Sequence, residues 1–207
     1  MDKKAYFMEI FKKAEKKYGS SAKRLASDNW EKDWQTLVAT ILSAQTRDET
    51  TIPVAEGLFA RYPSIESLSK AKYDDVLITI SRVNFKNNKA KHVIAAAKLL
   101  VQDYHGKVPD DIDELVKLPG VGRKTANLVL SEVHKKDSIT VDVHVHNISN
   151  LLGFVKTKNP TETEYALMKL VPKRYWSRIN RLFVLWGKQV PRKTKEKLLK
   201  KLNEKLE

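Results

Sequence analysis

Leu118-Pro-Gly-Val-Gly-Arg-Lys-Thr-Ala126 forms a turn that its glycines alone permit. Pro119 ends the preceding helix, and Gly120 and Gly122 can take the positive φ that a tight reversal requires. Beyond the turn, Lys124 to Val133 reads as helix, with Ala126, Val129, Leu130 and Val133 on one face. The backbone N–H groups of Gly120, Val121 and Gly122 are then left at a helix N-terminus, where a phosphodiester oxygen suits them. Arg123 and Lys124 stand in the same first turn. A lysine amine in its neutral form can join an aldehyde carbon as a Schiff base. Such a turn also serves as plain connection, so its surroundings must decide.

Downstream, Ser138-Ile-Thr-Val141 is a β-like run, and Asp142 directly after it opens a helix from Val143 to about Leu152, ended by Gly153. An acid there is ordinarily an N-cap. Thr161-Glu-Thr-Glu164 has the spacing of a capping box. Trp176, Ile179, Phe183 and Trp186 stripe a helix that runs to Gly187, and Lys193 to Leu206 reads as a basic helix with Leu198, Leu199, Leu202 and Leu206 apolar. His144 and His146, two apart, face different ways on a helix, and no carboxylate cluster is spaced to help them, so no metal site is expected.

Upstream, Phe7, Ile10, Phe11 and Ala14 mark a helix stopping near Gly19, and Ser20 to Asn29 is connector. Trp34, Leu37, Val38, Ile41 and Leu42 form a strong stripe leading into the small polar stretch Ser43-Ala-Gln-Thr46. Asp48 or Thr51 can cap the next helix, with Pro53 in its first turn. Short helices at 65–71 and 74–80 lead to a loop at 81–86 in which Phe85 is either exposed or part of the core. Ala90, Val93, Ile94, Ala97, Val101 and Tyr104 stripe a helix over 87–104 that Gly106 closes, and Asp111 with Glu114 predicts a capping box for a helix at 112–118.

The 207 residues suffice for one large domain or two small units with a real core. Lys and Arg outnumber Asp and Glu by 39 to 25, a net charge of +14 that favours a polyanion and nucleic acid first. With no cysteine, disulfides and thiolate metal sites are excluded. No signal-like or membrane-spanning apolar run is present, so an intracellular protein is expected, in cytoplasm, nucleoid or nucleus. No repeat or flexible linker is visible.

Leu118 to Asn127 followed by Val141-Asp-Val-His-Val145 resembles the helix-hairpin-helix signature and catalytic aspartate of the endonuclease III family, base-excision DNA glycosylases with an associated lyase activity. Leu42-Ser-Ala-Gln-Thr-Arg-Asp48 and Asn87-Asn-Lys-Ala90 resemble two further motifs of that family, and the likeness keeps order and spacing from about Trp34 to Gly187. The resemblance implies an all-α fold in two lobes. One is a six-helix bundle over 27–136; the other combines 1–26 with 137–207. It implies Lys124 as nucleophile and Asp142 as its ionised partner, with no cofactor called for. Gln45 would enter the gap left in the duplex, and Phe85 would wedge beside a flipped nucleotide. Gly120, Val121, Gly122 and Arg123 would hold phosphate, and His144 would face DNA or support the site. The partner implied is double-stranded DNA with a damaged base, an oxidised pyrimidine first, or an abasic site, met by a monomer.

Two alternatives stand beside this reading. A monofunctional mismatch (T or U opposite G) or adenine glycosylase generally lacks a lysine at position 124. A non-catalytic helix-hairpin-helix module would have no use for Asp142. The chain also departs from its relatives. Many carry four cysteines holding an iron–sulfur cluster; here Val190 stands at the first of those positions, and packing of the basic C-terminal helix is expected to replace the cluster. Val143 and Asn147 stand where threonine and a basic residue are frequent, which bears on substrate specificity.

Overall fold

Trp34, Leu37, Val38, Ile41 and Leu42 are all buried along α2 (Asp33–Ser43), the helix around which residues 24–136 pack. The computed structural model describes residues 2–204, and every regular element among them is helical. By its internal contacts the chain divides into residues 24–136 and a second unit made of 1–23 with 137–207.

In the 24–136 unit, α3 (Asp48–Arg61), α6 (Lys86–Asp103) and α8 (Arg123–Glu132) pack on α2. The short α4 (Ile65–Ser69) and α5 (Tyr73–Thr79) lie on α6, and the single turn α7 (Ile112–Leu115) on α8. Among the described residues of this unit α7, expected over 112–118, is the shortest helix, a single turn. Leu58, Leu68, Ile80, Leu100, Leu115 and Val129 join the α2 stripe in one apolar core. Trp30 and Trp34 meet Phe59 edge-on at 5.0 and 5.1 Å.

Two local expectations change here. Helix α3 begins at Asp48 with Arg47 as N-cap, so Pro53 falls inside the helix rather than in its first turn. Asp111 does cap α7, accepting from the N–H groups of Asp113 and Glu114 at 2.8 and 3.2 Å. The box is not closed, because the Glu114 carboxylate accepts instead from Tyr104 Oη at 2.8 Å and Lys117 Nζ at 2.6 Å.

In the other unit, α1 (Lys3–Tyr18) lays Phe7, Ile10, Phe11 and Ala14 against α11 (Trp176–Lys188). Phe7 meets Phe154 edge-on at 5.0 Å, and Phe183 meets Trp186 at 5.8 Å. Residues 138–141 are buried but form no strand. They find no strand partner among the described residues; the Thr140 carbonyl accepts instead from Asn180 Nδ2 at 3.2 Å. Helix α9 (Val143–Leu151) is followed by α10 (Pro160–Leu170), which starts before the expected box. Asn159 is its N-cap, accepting from Glu162 N–H at 2.9 Å, and Pro160 takes the first helical position, where its fixed φ is preorganised.

A 3₁₀ turn (Lys173–Tyr175) precedes α11, and α12 (Lys195–Asn203) packs on α1, α9 and α11. Val190, Leu198 and Leu202 are buried there, and Trp186 Nε1 donates to the Leu198 carbonyl at 3.2 Å. Leu206 lies outside the described residues. A thiolate-bound cluster does not fit a segment with no cysteine, whose buried side chains are apolar. Deleting residues 188–207 should therefore destabilise the protein by about 3–6 kcal/mol from Leu198 and Leu202 alone. The urea midpoint measures this, and an unchanged midpoint would deny α12 its structural role. No described helix is long and apolar enough to cross a membrane.

Candidate functional site

The hairpin between α7 and α8 is anchored by its apolar residues, Leu118 and Val121, both buried. Gly120 has φ +82°, and a Cβ on it would lie 2.9 Å from Cβ of His92 on α6. Both conformation and space therefore demand glycine. Gly122 differs from expectation: it is extended (φ −93°, ψ 175°), serves as the N-cap of α8, and has open space where a Cβ would stand. Gly120→Ala should cost at least ~1–2 kcal/mol for the backbone alone, with His92 displaced as well. Gly122→Ala should cost ~1 kcal/mol or less, the ordinary loss of a helix cap. Chemical denaturation distinguishes them, and equal costs would contradict this account of the turn.

Of the three amides expected to be free, one is not. Val121 N–H donates to the Leu118 carbonyl at 3.0 Å, closing the turn. The N–H groups of Gly120 and Gly122 donate to no acceptor among the described residues. An acid in the first turn is the stabilising choice at a helix N-terminus. Helix α8 has none; Arg123, half-buried, and Lys124, exposed, occupy those positions. The positive end of the helix and two cations are superposed, which concentrates the field an anion would meet.

Asp142 opens α9 in extended backbone (φ −99°, ψ −174°), and its Oδ1 accepts from the N–H groups of His144 and Val145, both at 2.9 Å. The capping role is real and uses one carboxylate oxygen. Oδ2 accepts from no described group, so a helix cap and a chemically available oxygen coexist in one side chain. His144 is half-buried with its ring over Gly187 of α11, where an added Cβ would clash with Nδ1. Its ring thus fixes the approach of α9 to α11. His146 belongs to a polar network instead: its Nδ1 is 2.7 Å from Thr163 Oγ1, which is 2.6 Å from Thr157 Oγ1. Asn150 ties into it, Oδ1 accepting from Thr157 N–H at 2.8 Å.

Gln45 and Phe85 are both exposed, Phe85 at 61%, which rules out the core alternative for that ring. Each has a left-handed backbone, φ +53° and +57°, where a side chain other than glycine is strained by about 1–3 kcal/mol. Their loops are joined. Asn84 Nδ2 donates to the Gln45 carbonyl at 2.5 Å, and Asn84 N–H donates to Thr46 Oγ1 at 3.1 Å. Beneath them Lys89, only 4% exposed, donates from Nζ to the carbonyls of Leu42 and Ala44, each at 2.6 Å, and to Thr46 Oγ1 at 2.9 Å. Burial pushes its amine down to about 8.

The model of the HhH-GPD superfamily of base excision DNA repair proteins matches residues 38–173. The chain belongs to this superfamily. Within it, endonuclease III of Thermotoga maritima is 44% identical over 169 residues, covering 81% of this chain and 79% of its own. Endonuclease III of Bacillus subtilis is 38% identical over 156 residues, covering 75% and 71%. A trapped endonuclease III–DNA covalent intermediate matches with a TM-score of 0.85 at 30% identity, over 93% of this chain and 90% of that one. The chain is accordingly a base excision repair DNA glycosylase of the endonuclease III type with lyase activity, an enzyme rather than a module that only binds.

Sequence reasoning missed Lys89, Asn84 and His92. A signal existed for Lys89 alone: it falls on the buried stripe of α6, at helical spacing before Val93, Ala96, Ala97 and Leu100. A lysine there is out of place unless something polar waits for it.

Proposed function

We propose that the chain excises a damaged pyrimidine from duplex DNA and cuts the strand at the resulting site, with Lys124 as nucleophile and Asp142 as its acid–base partner. The observation carrying this is the exposed Lys124 amine in the first turn after a glycine hairpin whose Gly120 and Gly122 amides have no acceptor. A phosphate on those amides would bring the neighbouring sugar toward the lysine. Arg123 adds charge to the same anion site. The target nucleotide leaves the stack, as chemistry on a base or its sugar requires. Gln45 fills the space it vacates and Phe85 wedges the opened step.

Lys124 Nζ, in its neutral form, attacks C1′ and the glycosidic bond breaks, its electrons leaving with the base. The Asp142 carboxylate takes up a proton released in this step or balances positive charge on the opening sugar. Ring opening gives the protonated Schiff base between Nζ and C1′. That group makes the C2′ proton acidic; its loss expels the 3′ phosphate as the C3′–O bond breaks. Water then releases the sugar remnant and restores the amine. The His144 packing on Gly187 and the Asn150–Thr157–Thr163 network hold α9, and with it Asp142, in place. The enzyme works as a monomer on DNA inside the cell.

A panel of duplexes, each with one lesion, scored separately for base release and strand cleavage, tests the proposal. Oxidised pyrimidines should give both products from the same strand. Base release without cleavage, or release confined to mismatched T or U opposite G, would replace it with a monofunctional glycosylase.

A further inference from the structure

Lys89 is the buried cation that the chemistry above does not use. Its ammonium has three N–H donors, and three oxygens receive them: the carbonyls of Leu42 and Ala44 and the hydroxyl of Thr46. Leu42 lies in the last turn of α2 and Ala44 is its C-cap, so the charge sits at the negative end of that helix, on carbonyls the helix itself leaves unpaired. Gln45, with its left-handed backbone, lies between Ala44 and Thr46, both gripped by that amine. From the same residue, the backbone N–H of Lys89 donates to the Phe85 carbonyl at 3.0 Å and begins α6 there. Asn84 closes the arrangement with its two bonds to Gln45 and Thr46. The amine thus holds both neighbours of Gln45 directly and reaches Phe85, 40 positions away in sequence, through Thr46 and the adjoining Asn84; the bond to the Phe85 carbonyl is the ordinary first bond of α6 and needs only a backbone N–H at position 89.

We propose that Lys89 is a positioning residue for opening the duplex, fixing Gln45 and Phe85 as one preassembled two-pronged element. The inference rests on the reading that these two side chains enter the helix. Without the amine, the turn at Gln45 would lose its hold, and through Thr46 and Asn84 so would the loop that carries Phe85, so the two prongs would have to be brought into register at every encounter with DNA. The cost falls on substrates that must be opened, and less on those already open.

The test is single-turnover cleavage of an abasic site in a duplex and in the same strand alone, for wild type, Lys89→Met, Asn84→Ala and the Gln45→Ala/Phe85→Ala pair. Lys89→Met should lower the duplex-to-single-strand rate ratio by about 10- to 100-fold, the scale of loss from misplacement by an ångström. Added to the prongless pair, it should lower that ratio no further, since its effect passes through those side chains. If Lys89→Met does not fold, Asn84→Ala, at an exposed site, should lower the ratio in the same direction by removing only the tie to Gln45. Equal losses on both substrates, or a full additional loss in the prongless background, would overturn the positioning role. Should the prongless pair cleave duplex like wild type, the prong reading falls and this inference with it. A wild type inactive on both substrates would instead refute the lyase proposal.

Discussion

Lys124→Gln should abolish both strand cleavage and the protein–DNA crosslink that borohydride leaves when it reduces a Schiff base. The substitution is exposed, and glutamine is as good a helix former as lysine, so α8 should persist. The Gly120 and Gly122 amides and the Arg123 charge also remain, so DNA binding should survive with only the loss of one charge contact. In the wild type, undamaged duplex should give no crosslink. A variant that still crosslinks with wild-type yield would show that another amine is the nucleophile. A wild type that binds lesion duplex without ever crosslinking or cutting would remove the lyase step.

Asp142→Asn isolates the second functional group. Asparagine caps a helix about as well as aspartate, so the bonds to His144 and Val145 N–H can be kept and α9 should not unravel. What is lost is a carboxylate able to take a proton. Base release should slow by roughly 10²–10⁴-fold, the usual worth of acid–base assistance. On a preformed abasic site the loss should be smaller, because the aldehyde is already present for Lys124. Equal slowing on intact and abasic substrates would move the role of Asp142 from glycosidic cleavage to elimination.

Most of the helical architecture was legible in the sequence because it rests on local periodicity. The α2, α6 and α11 stripes read directly as buried faces, and Lys124 and Asp142 were visible because each belongs to a short contiguous motif. Where the reading fell short, the deciding contact is distant in sequence. Local chemistry allows positive φ at both Gly120 and Gly122, yet only Gly120 takes it, and there His92, on α6, also leaves no room for a Cβ. The run at 138–141 has strand-like residues but no strand partner, so Asn180 takes the carbonyl a ladder would have used. Helix α10 starts at Pro160 because Asn159 caps it first, outcompeting the expected box. Lys89 falls within a legible motif, yet its amine bonds to oxygens more than forty residues away.

The division of the chain at residues 23 and 137 also bears on how the protein is made. Residues 24–136 are continuous and can condense as soon as they leave the ribosome. Helix α1 cannot: Phe7, Ile10 and Phe11 bury against α11, which is synthesised only after that whole unit. At ~5–20 residues per second, this apolar face waits on the order of ten seconds without its partner. During that interval α1 is the segment of the nascent chain most open to capture by a chaperone or to mispairing with another copy. Moving α1 behind α12 by circular permutation would shorten the wait and should raise the yield of folded protein at high expression.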